Sequence, residues 1–440
     1  MTDGAAGLQR RLERYLRSSL ASSVGASVLT GVVGQLALVV SGVILARSLS
    51  TENRGYVALL TVVPSVIVQI GTLGVPLAVT FWIATRPAGA GALLRSLRMH
   101  IVSLGLALFV IGLLVSYALA KGRGQEIADA TMIAALIIPA SVSLQFGLAA
   151  LQGLRRYTPF NLVRLAPGLL WVLFVATLFS LNVIGVRNLL LAWVLASAIP
   201  AVAIWIYLVG RLTWDSEAET DVTPSQLVRF GSRALIGNLA PFEGLGIDQL
   251  VIALALSPAE LGIYVVGSTL CNIVRFVAQS IGFVAYPHIA SLDHRDRWVA
   301  TVRFTALSAA LVGALVILLE VAAGFLVPLF FSSRYVDAVP VARVMLLASY
   351  VFGVRRVLIN CLRGADRPTD GTSAELIALA VLLAFAFWPV RAPSAVAAAY
   401  AMLASGAVSL IALVVVAWLR MRLGSDTLHE ATPMDRVTRG

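Results

Sequence analysis

The sequence predicts an all-α integral membrane protein of about twelve transmembrane helices, arranged as two parallel six-helix repeats. Three observations carry this expectation. The 440 residues are 59% hydrophobic and only 12% charged, too little charge to solvate a soluble surface of that size. The apolar runs are about twenty residues long, the length of a spanning helix, and lack the alternation of membrane-barrel strands. Loops six helices apart share sequence.

Ahead of the first span, residues 1–23 place Leu8, Leu12, Tyr15 and Leu16 on one helical face, with Arg10, Arg11, Arg14 and Arg17 around the rest. This is the pattern of an amphipathic helix lying on the cytoplasmic membrane surface. The short apolar stretch and cleavage site of a secretory signal do not follow it. The N-lobe, residues 24–210, holds helix 1 (Val24–Ala46), helix 2 (Tyr56–Ile83), helix 3 (Ile101–Ala120), helix 4 (Thr131–Leu151), helix 5 (Leu162–Leu181) and helix 6 (Leu189–Val209). A polar linker, 211–229, leads to the C-lobe, 230–419. There lie helix 7 (Ala234–Leu256), helix 8 (Leu261–Tyr286), helix 9 (Val302–Phe325), helix 10 (Val341–Leu362), helix 11 (Ala374–Val390) and helix 12 (Ser394–Leu419), before a cytoplasmic tail, 420–440.

Basic loops are retained in the cytoplasm, so their count sets orientation. Of 33 Lys and Arg residues, with those at helix ends counted in the adjoining loops, 22 fall on the side holding the N-terminus, 8 on the opposite side, and Arg275, Arg355 and Arg356 lie deeper within helices. Both termini are therefore expected inside. The net charge of +11 sits in short loops that orient helices, and no compact basic domain points to nucleic acid.

The repeat appears in two pairs of loops. Leu49, Ser50 and Gly55 after helix 1 match Leu256, Ser257 and Gly262 after helix 7, at an offset of 207. Leu151, Gly153, Arg156 and Thr158 after helix 4 match Leu362, Gly364, Arg367 and Thr369 after helix 10, at an offset of 211. An even number of spans separates the copies, so the repeats are parallel, and a substrate path belongs between them.

No motif for catalysis is present. The histidines His100, His288, His294 and His429 are scattered, without metal-ligand spacing, and no Gly-rich loop precedes a Lys-Ser or Lys-Thr. Cys271 and Cys361 lie in apolar segments and read as small core residues. No cofactor or metal is expected beyond a coupling cation, Na+ or H+.

Charge inside apolar spans is costly and faces a wet cavity or a partner. Asp248 in helix 7 and Arg275 in helix 8 either pair with each other or act separately, Arg275 on an anionic substrate and Asp248 on the coupling ion. Arg355 and Arg356 in helix 10 can snorkel to headgroups or join Arg275 on the substrate. Gln35, Gln69 and Asn238 either glue helices together or line the path, and Glu320 is expected to be wetted. Gly34 and Pro241, equivalent at the 207 offset, are expected to break helices 1 and 7; paired interruptions point to a transport site.

The segment Arg229–Leu270, RFGSRALIGNLAPFEGLGIDQLVIALALSPAELGIYVVGSTL, sets Asp248 before an apolar run and ends a Leu-Gly-x-Tyr at Tyr264. ILARSLSTENRGYVALL in the first hairpin, Pro287 after helix 8, and LVPLFFSSRYVDAVPVARVMLL between helices 9 and 10 complete the pattern. In these the chain resembles the bacterial polysaccharide flippases, the oligosaccharide-exporter branch of the superfamily that also holds multidrug extruders and lipid II flippases. Ser332 departs from the glycine common there. The resemblance implies a V-shaped, two-lobe bundle in a bacterial cytoplasmic membrane, around a central cavity lined largely by helices 1, 2, 7 and 8 and opened alternately to each side, and a lipid-linked glycan carried on a polyprenyl diphosphate. Its partners are then membrane lipids and the glycosyltransferases or glycan polymerase that act before and after it. The rivals are a cation-coupled exporter of small molecules and an intramembrane glycan polymerase or ligase; the latter needs a larger outer loop than this chain has.

Overall fold

A computed structural model describes residues 33–34, 36–120, 125–212, 222–237, 245–365, 367–386 and 393–426. The amphipathic 1–23 segment and most of the 420–440 tail lie outside the described residues, as do Gln35, Asn238 and Pro241. Every described element is helical. Ten helices are long and apolar enough to cross a membrane, and they supply helices 2 to 6 and 8 to 12. The two other expected spans are helices 1 and 7, for which shorter pieces are described. The chain is a multi-pass membrane protein.

Helix 1 is seen as α1 (Leu36–Ser48). Helix 2 is α2 (Thr51–Gly71) plus α3 (Val75–Thr85), helix 3 is α4 (Ala90–Ala120), and helix 4 is α5 (Gln125–Ala135) plus α6 (Ile137–Gly153). Helices 5 and 6 are α7 (Tyr157–Ser180) and α8 (Val186–Val209). Helix 7 is α9 (Pro224–Gly237) and α10 (Ile247–Ala255), and helix 8 is α11 (Pro258–Thr269) and α12 (Cys271–Ala290). Helices 9 to 12 are α13 (His294–Phe331), α14 (Ala338–Gly364), α15 (Pro368–Ala386) and α16 (Ala395–Asp426).

The repeat residues have matching jobs. Ser50 and Ser257 are the N-caps of α2 and α11, their hydroxyls accepting from Asn53 N (3.2 Å) and Glu260 N (3.4 Å), which satisfies an otherwise orphaned amide at each helix start. A Cβ on Gly55 would overlap the Pro258 carbonyl oxygen, and one on Gly262 would overlap the Thr51 carbonyl oxygen. Positions 51 and 258 are themselves 207 apart, so the contact is self-reciprocal: each repeat's glycine meets the other's first helical residue. That is the geometry of a two-fold interface. Gly153 and Gly364 do the same within each lobe. A Cβ on Gly153 would lie 2.9 Å from Thr80 O at the end of helix 2, and one on Gly364 would lie 2.6 Å from Tyr286 O at the end of helix 8.

Of the two expected interruptions, Pro241 lies outside the described residues and Gly34 is not a break. Gly34 is helical, and a Cβ there would meet Leu165 Cδ1 at an ordinary 3.5 Å; a glycine within an apolar helix is tolerated without a break. The N-lobe break is in helix 2 instead, at Leu73 (φ 49°) and Gly74 (φ 69°). In helix 7 the break is expressed at Gly246, whose φ of 64° precedes α10. Only a residue without a Cβ takes that conformation at no cost. Ser332 has φ 82°, so the departure from the family's glycine falls on a position where glycine is the unstrained choice.

The two halves of helix 7 pack differently. α9 lies on the N-lobe, with Val222 and Leu227 in the same apolar cluster as Val75, Val79 and Leu94, whereas α10 packs with the C-lobe and α2. Helix 7 therefore crosses the interlobe seam. The first turns of α9, at 224–229, belong to the segment that hydropathy assigned to the linker.

Candidate functional site

Two contacts close the seam between the lobes at opposite ends of helix 7. At the Ser257 end, the reciprocal glycine crossing is joined by Arg47, which donates from Nε to Phe330 O (2.9 Å) and from an Nη to Leu329 O. Tyr335 there donates its hydroxyl to Leu49 O (3.3 Å). Burial holds the Tyr335 phenol above its ordinary pKa, so it remains a donor at neutral pH. At the other end, Gly231 of α9 sits against Gly74, where a Cβ would be 2.7 Å from the Gly74 carbonyl. Beside it the Phe81 and Phe230 rings stack at 5.0 Å.

Between these contacts lies a cavity of about 410 Å³. Helices 1, 2, 7 and 8 contribute to its wall, as expected, and helices 5 and 6 complete it with Pro167, Gly168, Trp171, Trp193 and Ser197. Arg275 and Asp248 both line it. They also share a smaller cavity of about 60 Å³ within the C-lobe, walled by Phe352, Arg355, Arg356 and Met402. No ion pair within 4 Å joins Asp248 to Arg275, so the pairing alternative is not what the structure adopts. Asp248 is buried, and its Oδ1 has no hydrogen-bond partner among the described residues. Arg275 is half-buried.

A second arginine of the main cavity escaped the sequence reading. Arg54, in the first turn of α2, is buried in the wall, and its Nε has no hydrogen-bond partner among the described residues. Hydropathy placed it in a loop. The cavity therefore holds two guanidinium groups, one carboxylate and two indoles.

Other candidates are reassigned. Arg355 neither snorkels nor faces the main cavity. It is fully buried, donating to Glu375 Oε1 at 2.6 Å and to Ser409 Oγ at 2.9 Å, with its guanidinium 4.7 Å from the Phe352 ring centroid. A carboxylate on α15 and a hydroxyl on α16 each accept from one of its Nη groups, so it ties helices 10, 11 and 12 together. Removing one partner of such a pair strands a buried charge. Arg355→Ala should therefore destabilise the protein by about 3–5 kcal/mol in detergent unfolding, and Arg355→Met combined with Glu375→Leu should recover most of that loss. Arg356 is half-buried and reaches only the smaller cavity. Gln69 is exposed, accepting from Gln145 Nε2 (3.3 Å) on α6, and lines neither cavity. Glu320 stands 4.0 Å from Arg343 in a partly exposed pair. Both cysteines are buried. Among the described residues, no group of three or more His, Cys, Asp or Glu could hold a metal ion.

Residues 44–340 match the family model described as polysaccharide biosynthesis protein. No curated protein matches the sequence. Among solved structures, the lipid II flippase MurJ in an inward closed conformation is similar in fold at a TM-score of 0.67 and 12% identity, over 88% of this chain and 86% of that one. An inward-facing MATE multidrug resistance transporter of the MOP superfamily is similar at 0.65 and 15%, over 90% and 96%. So is a MOP superfamily transporter from Pyrococcus furiosus, described as having a binding pocket of reversed polarity, at 0.60 and 13%, over 93% and 95%. At these identities the likeness is one of fold: two lobes around a central path, in proteins that are transporters.

Proposed function

Because the chain belongs to the polysaccharide biosynthesis protein family, we propose that it is a flippase moving a polyprenyl-diphosphate-linked oligosaccharide from the inner to the outer leaflet of the bacterial cytoplasmic membrane, with both termini in the cytoplasm. The observation that carries the reading is the interlobe cavity in which Arg54 and Arg275 face one Asp248. Guanidinium groups match phosphate oxygens in a fixed, bidentate fork, and in a cavity shielded from bulk water each such contact is stronger than at a surface. Trp171 and Trp193 add flat amphipathic faces suited to a saccharide. Asp248 balances Arg275 when the cavity is empty and takes up the coupling proton or Na+ when the anion arrives.

Translocation then alternates the two seams, with the Ser257 end outward and the Phe230 end inward. One observation favours a second reading, a cation-coupled exporter: the buried Asp248 Oδ1 has no hydrogen-bond partner among the described residues. Depleting the chain from its cell separates the two. The flippase reading expects a lipid-linked saccharide to accumulate facing the cytoplasm. A normal leaflet distribution, with heightened sensitivity to organic cations, supports the exporter.

A further inference from the structure

Helix 5 is the least buried of the ten spans among the described residues. Only 6% of its apolar window is covered, against 33% for its repeat equivalent, helix 11. Asn161 and Val175 are its buried residues. One stripe of α7, Pro167, Gly168 and Trp171, faces the main cavity, and a Cβ on Gly168 would meet nothing within 4 Å. At 3.6 residues per turn, Arg164 falls within about 20° of Trp171 on that same stripe, roughly 10 Å nearer the Tyr157 end. Arg164 is exposed and, among the described residues, has no hydrogen-bond or ion-pair partner.

The repeat explains why it is unpartnered. At the offset of 211, position 164 corresponds to Glu375 and position 144 to Arg355. In the C-lobe those two residues form the buried pair at 2.6 Å. In the N-lobe the carboxylate's place is taken by an arginine, and the arginine's place by the buried Leu144. The charge has changed sign and lost its intralobe partner. A lone guanidinium facing hydrocarbon is costly, so it is retained where water or an anion meets it.

From this we infer that Arg164 is a docking site for the diphosphate of the lipid-linked substrate at the inner mouth of the cavity, with the Pro167–Trp171 stripe leading from it toward Arg275. The inference rests on the flippase reading and adds a loading step to it. The aliphatic stem of Arg164 spans part of the distance to the cavity, and its exposure leaves it open to a headgroup arriving from the inner leaflet.

The test is translocation of a fluorescent polyprenyl diphosphate disaccharide by the full chain in proteoliposomes, measured against substrate density. Arg164→Gln should raise the density needed for half-maximal flux about tenfold, equivalent to about 1.4 kcal/mol, with the maximal rate within about twofold. Arg164→Lys should recover most of the loss, because the charge persists. Binding of a phosphate-free polyprenyl disaccharide should be unaffected. Because Arg164 is exposed and unpartnered, the variant should fold like wild type. If Arg164→Gln matches wild type at every density while Arg275→Ala is inactive, the docking site is wrong and the flippase reading stands. A fall in maximal rate alone also overturns the docking site. If Arg275→Ala is active as well, the underlying reading fails with it.

Discussion

Gly262→Val should leave the Ser257 end of the seam unable to close, and Gly231→Val should do the same at the Phe230 end. At both positions the obstacle to a side chain is backbone: the Thr51 carbonyl against residue 262 and the Gly74 carbonyl against residue 231. Overpacking costs about 1–3 kcal/mol where side chains can yield, and here they cannot, so the closed population at the altered end should fall by more than about tenfold. The readout is a single cysteine at Ser197, which lines the cavity, in a background carrying Cys271→Ala and Cys361→Ala. A membrane-impermeant thiol reagent should label it from the Ser257 side in the first variant and from the Phe230 side in the second. Both should lose most translocation, since each cycle needs each end to close. Identical labelling of the two variants would show that these glycines pack helices without gating the path.

Arg275→Ala is expected to reduce flux by about 10- to 150-fold, because a hydrogen bond to a charged group contributes about 1.5–3 kcal/mol. Arg275 lines both cavities and makes no ion pair within 4 Å, so its removal breaks no salt bridge, and membrane insertion and thermal stability should hold. This separates it from Arg355, whose loss should be felt in stability first. Arg275→Lys should keep part of the activity: it restores the charge without the planar fork. The smaller cavity shared by Arg275, Asp248 and Arg356 gives the side chain room to move when the headgroup is absent.

Much of this was readable in the chain. Hydropathy located the spans because lipid demands long apolar helices, and the loop matches fell on residues that make equivalent contacts in the two repeats: hydroxyl caps at 50 and 257, backbone crossings at 55 and 262. Arg275 and Asp248 stood out as charges deep in apolar runs. The residues that escaped were charges near helix ends, where a hydropathy window cannot tell a wetted group from a buried one. Arg54 and Glu375 are both buried, yet each lies within one or two turns of a helix start. Arg164 escaped for the same reason: it lies two residues inside the expected start of helix 5 at Leu162, although α7 begins at Tyr157. Arg355 could not be assigned without knowing that its neighbour across the lobe was a carboxylate. Gly34 did not become the N-lobe break because glycine permits a left-handed turn without compelling one: Gly74 and Gly246 take it and Gly34 does not.

The most direct measurement of the central claim is transbilayer movement of a polyprenyl-diphosphate oligosaccharide in proteoliposomes, followed by its accessibility to an impermeant reagent, with wild type and Arg275→Ala side by side. The account predicts rapid exposure of the saccharide by wild type, a loss of at least tenfold in the alanine variant, and partial recovery with lysine. Equal flux by wild type and Arg275→Ala, or flux by neither at levels of the chain that do move organic cations, would contradict it.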